Sequence, residues 1–118
     1  MITTELAREL RDRGLAWHPA SGDEFVIDSG TILGFNGTTE WALDSVAVEN
    51  ALWLPREDQL RSLLGGTFAS LARTDAGDFV VETVRDGVRS RFDATDAETA
   101  YAHAVLALIG QATADATT

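Results

Sequence analysis

Two dipeptides, Asn36-Gly37 and Asp86-Gly87, constrain the fold of this chain more than any other feature. The residues in each pair tolerate a positive φ angle, which the two-residue turns of β-hairpins require. Short runs of β-branched and aromatic residues flank both pairs, so the sequence predicts antiparallel hairpins. Segment 40–46 is also compatible with a short helix. The predicted strands are 25–27, 31–35, 40–46, 51–54, 68–73, 79–85 and 88–92.

A first helix is predicted over 3–13. Thr3 or Thr4 can accept a hydrogen bond from the unpaired N–H groups of its first turn. Gly14 follows the last helical residues and can adopt the left-handed conformation that closes a helix in a Schellman motif.

A second helix is predicted over 55–64. Pro55 is expected at its first position, where the missing N–H costs nothing. Leu60, Leu63 and Leu64 recur at helical spacing and predict the stripe that faces the core.

A third helix is predicted over 96–109. Thr95 and Glu98 have the spacing of a capping box, and Gly110 is expected to end the helix. The tail, 111–118, is expected to fray. The predicted core face consists of Ala97, Tyr101, Ala104, Val105 and Leu108.

These elements predict an α+β fold: a mostly antiparallel sheet of about five to six strands with three helices packed mainly on one face. The chain has 118 residues, and a single domain, 1–118, can form a core of ordinary size at this length.

The charge and composition of the chain argue against several classes of function. The net charge is −10, and all nine basic residues are arginine. Such acidity argues against a nucleic-acid partner, whose phosphates require basic residues. The arginine-only basic set, with abundant alanine and valine, indicates a GC-rich genome, and a salt-adapted host is the second explanation of this composition. There is no cysteine, which excludes disulfides and thiolate metal sites. No apolar run is long enough to span a membrane, and the first residues lack a signal-peptide pattern, so a cytoplasmic protein is expected.

The sequence contains none of the common motifs for catalysis or cofactor binding. His18 and His103 have no partners at metal-ligand spacing. The glycine pairs do not form a phosphate-binding loop, and no nucleophile elbow occurs. The sequence therefore predicts no metal, no cofactor and no catalytic residue. A small enzyme would require a pocket in which one of the histidines meets carboxylates.

The three tryptophans, Trp17, Trp41 and Trp53, lie in or next to irregular segments. They either fill a small core or help to form a recognition surface, where tryptophan is common. In the second case the candidate binding residues are Trp17, His18, Glu40, Trp41 and Arg56.

Leu106 and Ile109 lie off the core face of the third helix. They are either covered by the first helix or form a homodimer contact.

Two central segments, Gly-Phe-Asn-Gly-Thr-Thr-Glu-Trp-Ala-Leu-Asp-Ser-Val at 34–46 and Leu-Trp-Leu-Pro-Arg-Glu-Asp-Gln-Leu at 52–60, carry a resemblance. The chain resembles a group of short actinobacterial proteins of unknown function, some of which are labelled as pilus-assembly proteins. Pilus-assembly ATPases need a P-loop, which this chain lacks. The three strands and final helix at the C-terminus also look like the ending of HicB-like antitoxins.

These observations predict a non-catalytic cytoplasmic protein that binds an unidentified protein partner. The resemblance implies an accessory role in a pilus or secretion apparatus. The alternative is an antitoxin or immunity-type protein that binds a basic partner, which the acidity of the chain favours.

Overall fold

The computed structural model describes residues 2–16, 18, 20, 22–27, 32–34 and 51–117, with side chains as far as Gln111. The predicted α+β class is confirmed. Contacts group the chain into two compact units, Met1–Pro55 and Arg56–Thr118. The described elements are α1 (Thr4–Asp12), β1 (Glu24–Val26), β2 (Ile32–Gly34), β3 (Leu52–Leu54), α2 (Glu57–Leu64), a 3-10 turn (Gly65–Thr67), β4 (Phe68–Arg73), β5 (Phe79–Arg85), β6 (Val88–Ala94) and α3 (Ala97–Thr117).

The described strands form two antiparallel three-stranded sheets, ordered β2-β1-β3 and β4-β5-β6, rather than the one sheet of five to six strands that was predicted. The reason lies at the end of β3. Pro55 has no N–H to donate to a ladder, and α2 begins two residues later, so the chain leaves the first sheet there. The predicted return strand, 40–46, lies outside the described residues, and the prediction of a single domain stays a prediction.

In the N-terminal unit, the predicted ends of α1 are confirmed. The Leu6 N–H donates to Thr3 Oγ1 over 3.2 Å. At the other end, the N–H groups of Gly14 and Leu15 donate to the carbonyls of Arg11 and Leu10, each over 3.0 Å, which is the Schellman pattern. Gly14 has a φ of 114°, as this closure requires. α1 packs against β3.

In the C-terminal unit, two tight connections join β4, β5 and β6. Asp86 and Gly87 have φ angles of 52° and 78°, so both residues of the predicted turn are left-handed. Gly77, in the other connection, has a φ of 89°. β5 and β6 pair without a register shift, from Phe79 opposite Ala94 to Arg85 opposite Val88. The predicted antiparallel meander is therefore confirmed.

The helices of the C-terminal unit pack together on the sheet. α3 packs against β5 and β6, and α2 packs against α3. The core of this unit includes Leu60, Val81 and Tyr101, whose side chains are almost completely buried. Leu63 is 40% exposed, so its predicted place in the core stripe of α2 is wrong. At 100° per residue, Leu63 points well away from the direction shared by Leu60 and Leu64.

The starts of α2 and α3 differ from prediction by one or two residues. Arg56, and not Pro55, is at the boundary of α2, and its N–H donates to Gln59 Oε1 over 2.9 Å. Asp96, and not Thr95, caps α3, because its Oδ1 accepts the Thr99 N–H over 2.8 Å. Thr95 and Asp96 are both residue types that commonly cap helices, and the capping-box spacing alone indicated the wrong one.

α3 does not end at Gly110, as predicted, but continues to Thr117. One glycine inside a helix costs only about 1 kcal/mol, and the alanines that follow it are the best helix formers. The expected fraying of 111–118 stays a prediction. No helix in the described ranges combines the length and apolarity needed to cross a bilayer.

Candidate functional site

Three of the five candidate binding residues, Trp17, Glu40 and Trp41, lie outside the described residues. The recognition surface that they were expected to form with His18 and Arg56 therefore stays a prediction. His18 is exposed in the segment after α1. Arg56 is partly buried at the start of α2, where its Nε lies 3.2 Å from Asp58 Oδ1.

Trp53 is the one tryptophan that the structure describes. It lies on β3 opposite Phe25 of β1 and is partly buried. Its indole Nε1 is buried and has no acceptor among the described residues. This placement gives Trp53 a packing role in the first sheet.

The C-terminal unit carries an open groove of about 860 Å³ that the sequence did not predict. One wall is the face of α2 formed by Glu57, Asp58, Arg61 and Ser62. These residues lie on one side of the helix because side chains three or four positions apart lie one above the other. Leu60 and Leu64 lie next to this face, on the side toward the core, and are buried. The core stripe of α2 therefore fixes which polar residues face the groove.

The floor and the opposite wall of the groove are largely apolar. Tyr101 comes from α3, and Phe68, Ser70 and Leu71 come from β4. The rings of Phe68 and Tyr101 have centroids 5.8 Å apart and are tilted by 34°. The Arg61 guanidinium lies 4.5 Å from the centroid of the Phe68 ring. This cation–π contact holds Arg61 against the floor of the groove.

The charged groups of the groove act on Tyr101. Burial raises the pKa of the Tyr101 hydroxyl; the Arg61 charge lowers this pKa, and the Glu57 carboxylate raises it. Among the described residues, Glu57 makes no ion pair, whereas Asp58 is paired with Arg56. Glu57 is therefore the carboxylate in the groove that is available to a cationic group.

β4 is an edge strand of its sheet in the part of the chain that is described. Only β5 pairs with it, and the register shifts between Phe68 and Ser70. Leu71 of this strand is 37% exposed. The outer edge of β4 therefore presents backbone N–H and C=O groups beside an exposed leucine.

Neither histidine takes part in this groove. His103 is exposed on α3 and is not a lining residue. Across the described ranges, no cluster of three His, Asp or Glu side chains is close enough to hold a metal ion. Leu106 and Ile109 are partly buried, and the homodimer contact expected through them stays a prediction.

The comparisons with known proteins give no relative: no family model matches the chain, and no curated protein or solved structure matches it. What the protein does must therefore be inferred from its own geometry and charge. The groove lies within one unit, since all eight of its lining residues belong to the C-terminal unit.

Proposed function

We propose that this chain is a non-catalytic, cytoplasmic protein-interaction module, and that the groove beside β4 binds its partner. The main support for a protein-binding groove is that it combines an open apolar floor with a polar helix wall in one unit. Protein-binding surfaces commonly have an aromatic or aliphatic centre and a polar rim. Phe68 and Leu71 would form the centre, and Glu57 and Asp58 the rim.

The charge of the chain supports a basic partner. The whole protein has a net charge of −10, and two carboxylates and one arginine line the groove. Complementary charge raises the association rate and disfavours acidic competitors. The resemblance noted above supports a place for such a module in a pilus or secretion apparatus.

An antitoxin or immunity protein is the second candidate. The succession β4-β5-β6-α3, three antiparallel strands and then a helix, fits the ending of HicB-like antitoxins. Such a protein would bind a basic toxin encoded next to it. Salt-sensitive, tight binding to a neighbouring basic protein would support this candidate, and a neighbourhood without one would contradict it.

A pair of matched variants tests the proposed binding surface. Leu71→Gln changes an exposed apolar residue of the edge strand β4, and Val88→Gln makes the same kind of change on the edge strand β6, where Val88 is 63% exposed. Affinity purification from host cells should recover a partner with the wild type and with Val88→Gln. Leu71→Gln should weaken its binding by about tenfold, as expected for a central apolar contact.

Equal recovery of the same partner by Leu71→Gln and the wild type would contradict the proposal. Circular dichroism of both variants provides the control for folding. Loss of partner binding with Val88→Gln alone would assign the interface to another surface.

A further inference from the structure

We infer that the groove takes an extended, basic peptide segment, which adds as a fourth strand to the outer edge of β4. This inference rests on the proposed function and specifies the partner. It follows from the position of the groove: one of its walls is itself a strand with an unpaired edge in the described part of the chain. An extended peptide satisfies such an edge through main-chain hydrogen bonds, which a helix cannot do.

The register of the sheet shows which side of the added strand would face the helices. Leu71 pairs with Val81, and successive side chains on a strand alternate between faces, so Leu71, Val81 and Thr83 share a face. Thr83 lines a small void of about 10 Å³ together with Ala104 and Leu108 of α3. The face that carries Leu71 is therefore the one that α3 covers. Alternate residues of an added strand would point to the same side, toward the polar wall of α2.

Charge complementarity specifies the chemistry of those alternate residues. Glu57 makes no described ion pair and lies close enough to Tyr101 to raise its pKa. An arginine or lysine of the peptide would meet Glu57 at the α2 wall, beside the apolar floor, and could form a charge-assisted hydrogen bond with it. Leu71 would contact an apolar residue of the peptide two positions along the strand.

A second copy of the chain fits this edge less well. Each copy carries a net charge of −10, so two copies repel one another. Like charges that face each other across a pair of strands are also destabilising. The inference therefore commits to a basic peptide segment, and self-association through β4 is an outcome that would overturn it.

The test uses the full wild-type chain, labelled with ¹⁵N, and a synthetic heptapeptide as the probe. The heptapeptide is acetyl-Thr-Arg-Thr-Leu-Thr-Arg-Thr-amide, which places its two arginines and its leucine on one face of a strand. NMR titration should show amide shift changes confined to β4 and to the groove face of α2. The matched peptide with glutamate in place of arginine should cause none.

N-methylation of the peptide separates strand addition from other modes of binding in the groove. In a strand, only alternate N–H groups point to a given neighbour. Methylation of one alternating set should weaken binding by about tenfold or more, through the loss of two or three hydrogen bonds. Methylation of the other set should have little effect.

If the arginine peptide binds in the groove but neither methylated set weakens it, strand addition is wrong and the proposed binding surface stands. If the arginine peptide shifts no groove residue, or the glutamate peptide binds equally well, the basic peptide partner is overturned. A stable dimer in sedimentation that protects the β4 amides would assign this edge to self-association and would also overturn the inference. The proposed function is tested separately, because the Leu71→Gln and Val88→Gln comparison does not depend on the peptide.

Discussion

Among the described residues, each of the two units forms a three-stranded sheet, but the strands pair in different ways. In Met1–Pro55, the described strands have three residues each, and β1 pairs with the distant β3, where Glu24 lies opposite Leu54. In Arg56–Thr118, longer strands pair with their immediate neighbours through tight connections. Local turn chemistry specifies the second sheet, whereas the first depends on residues that are distant in sequence.

The units also differ in what they offer a partner. The exposed strand β2 of the N-terminal unit carries Ile32 and Leu33, and both are at least one-third exposed. The C-terminal unit combines its exposed edge, β4, with an aromatic floor and a charged helix wall. The C-terminal unit is thus the one whose described residues form a defined groove.

Of all the variants, those that remove a core leucine should lower the free energy of unfolding most, in either unit. Leu10→Ala and Leu60→Ala each remove a side chain that is almost completely buried, so we expect each to lower the free energy of unfolding by about 2–5 kcal/mol. Leu63→Ala, on the exposed side of α2, should cost about 0.5 kcal/mol or less. Urea unfolding measures all three variants. A cost for Leu63→Ala equal to that for Leu60→Ala would show that the assigned core face of α2 is wrong.

The same variants show whether the units unfold together. All three tryptophans lie in Met1–Pro55, and the single tyrosine, Tyr101, lies in Arg56–Thr118. Tryptophan fluorescence and the NMR signal of a fluorine-labelled tyrosine therefore report on different units. The prediction of a single domain requires coincident transitions in both probes. If Leu60→Ala shifts only the tyrosine transition, the chain consists of two domains.

Left-handed glycines should contribute less than the core, and by similar amounts in the two units. Gly14 and Gly87 have φ angles of 114° and 78°, which an alanine adopts only with strain. Gly14→Ala and Gly87→Ala should each cost about 1–2 kcal/mol. Gly66→Ala is the control, because the Gly66 φ is not positive and an added Cβ would meet nothing within 4 Å. A cost for Gly66→Ala as large as the other two would contradict the assignment to backbone strain.

The helix caps should differ between the units in their dependence on pH. Thr3 caps α1 with a hydroxyl, and Asp96 caps α3 with a carboxylate. Burial opposes the ionisation of Asp96, but hydrogen bonds, chiefly from Thr99, outweigh it, so the pKa of Asp96 lies below its ordinary value. Thr3→Ala and Asp96→Ala should each cost about 1 kcal/mol at neutral pH.

In the unfolded chain, Asp96 has an ordinary pKa of about 3.9. At pH values above this, the ionised carboxylate stabilises the folded state. This stabilisation is lost as the pH falls through the lower pKa that Asp96 has in the folded chain. The cost of Asp96→Ala should therefore shrink in acid, while the cost of Thr3→Ala stays constant. Denaturation at a series of pH values measures both. A cost of Asp96→Ala that is independent of pH would contradict the cap assignment.

The smallest expected effects are shifts in the ionisation of Tyr101. Removal of the Arg61 charge by Arg61→Gln should raise the pKa of Tyr101 further, and Glu57→Gln should lower it toward its ordinary value. Because Tyr101 is the only tyrosine, the ultraviolet absorbance of phenolate reports this pKa directly. Shifts in the opposite directions would show that these side chains do not face Tyr101 across the groove.

The predictions made from sequence succeeded where the signals are local. Thr3 and Gly14 marked the ends of α1, and Asp86-Gly87 marked the last hairpin, since each acts through neighbouring backbone groups. The division into two sheets was missed because the pairing of β1 with β3 joins distant segments that no local pattern specifies.

The groove was missed for the same physical reason. The groove forms only when the fold brings Tyr101 and Phe68 next to the polar face of α2. The one local signal was the i, i+4 spacing of Glu57 and Arg61, which places both side chains on the same face of the helix. The tryptophan pattern pointed instead to Trp17 and Trp41, which lie outside the described residues, so that candidate surface stays a prediction.

A photo-crosslinking amino acid in place of either Ser62 or Val88 tests most directly whether the groove binds the partner. Ser62 is exposed in the groove wall, and Val88 is exposed on β6 and does not line the groove. In host cells, illumination should give a crosslinked partner from position 62 and none from position 88. A crosslinked partner from position 88 alone, or none from position 62, would contradict the assignment of the groove as the binding surface.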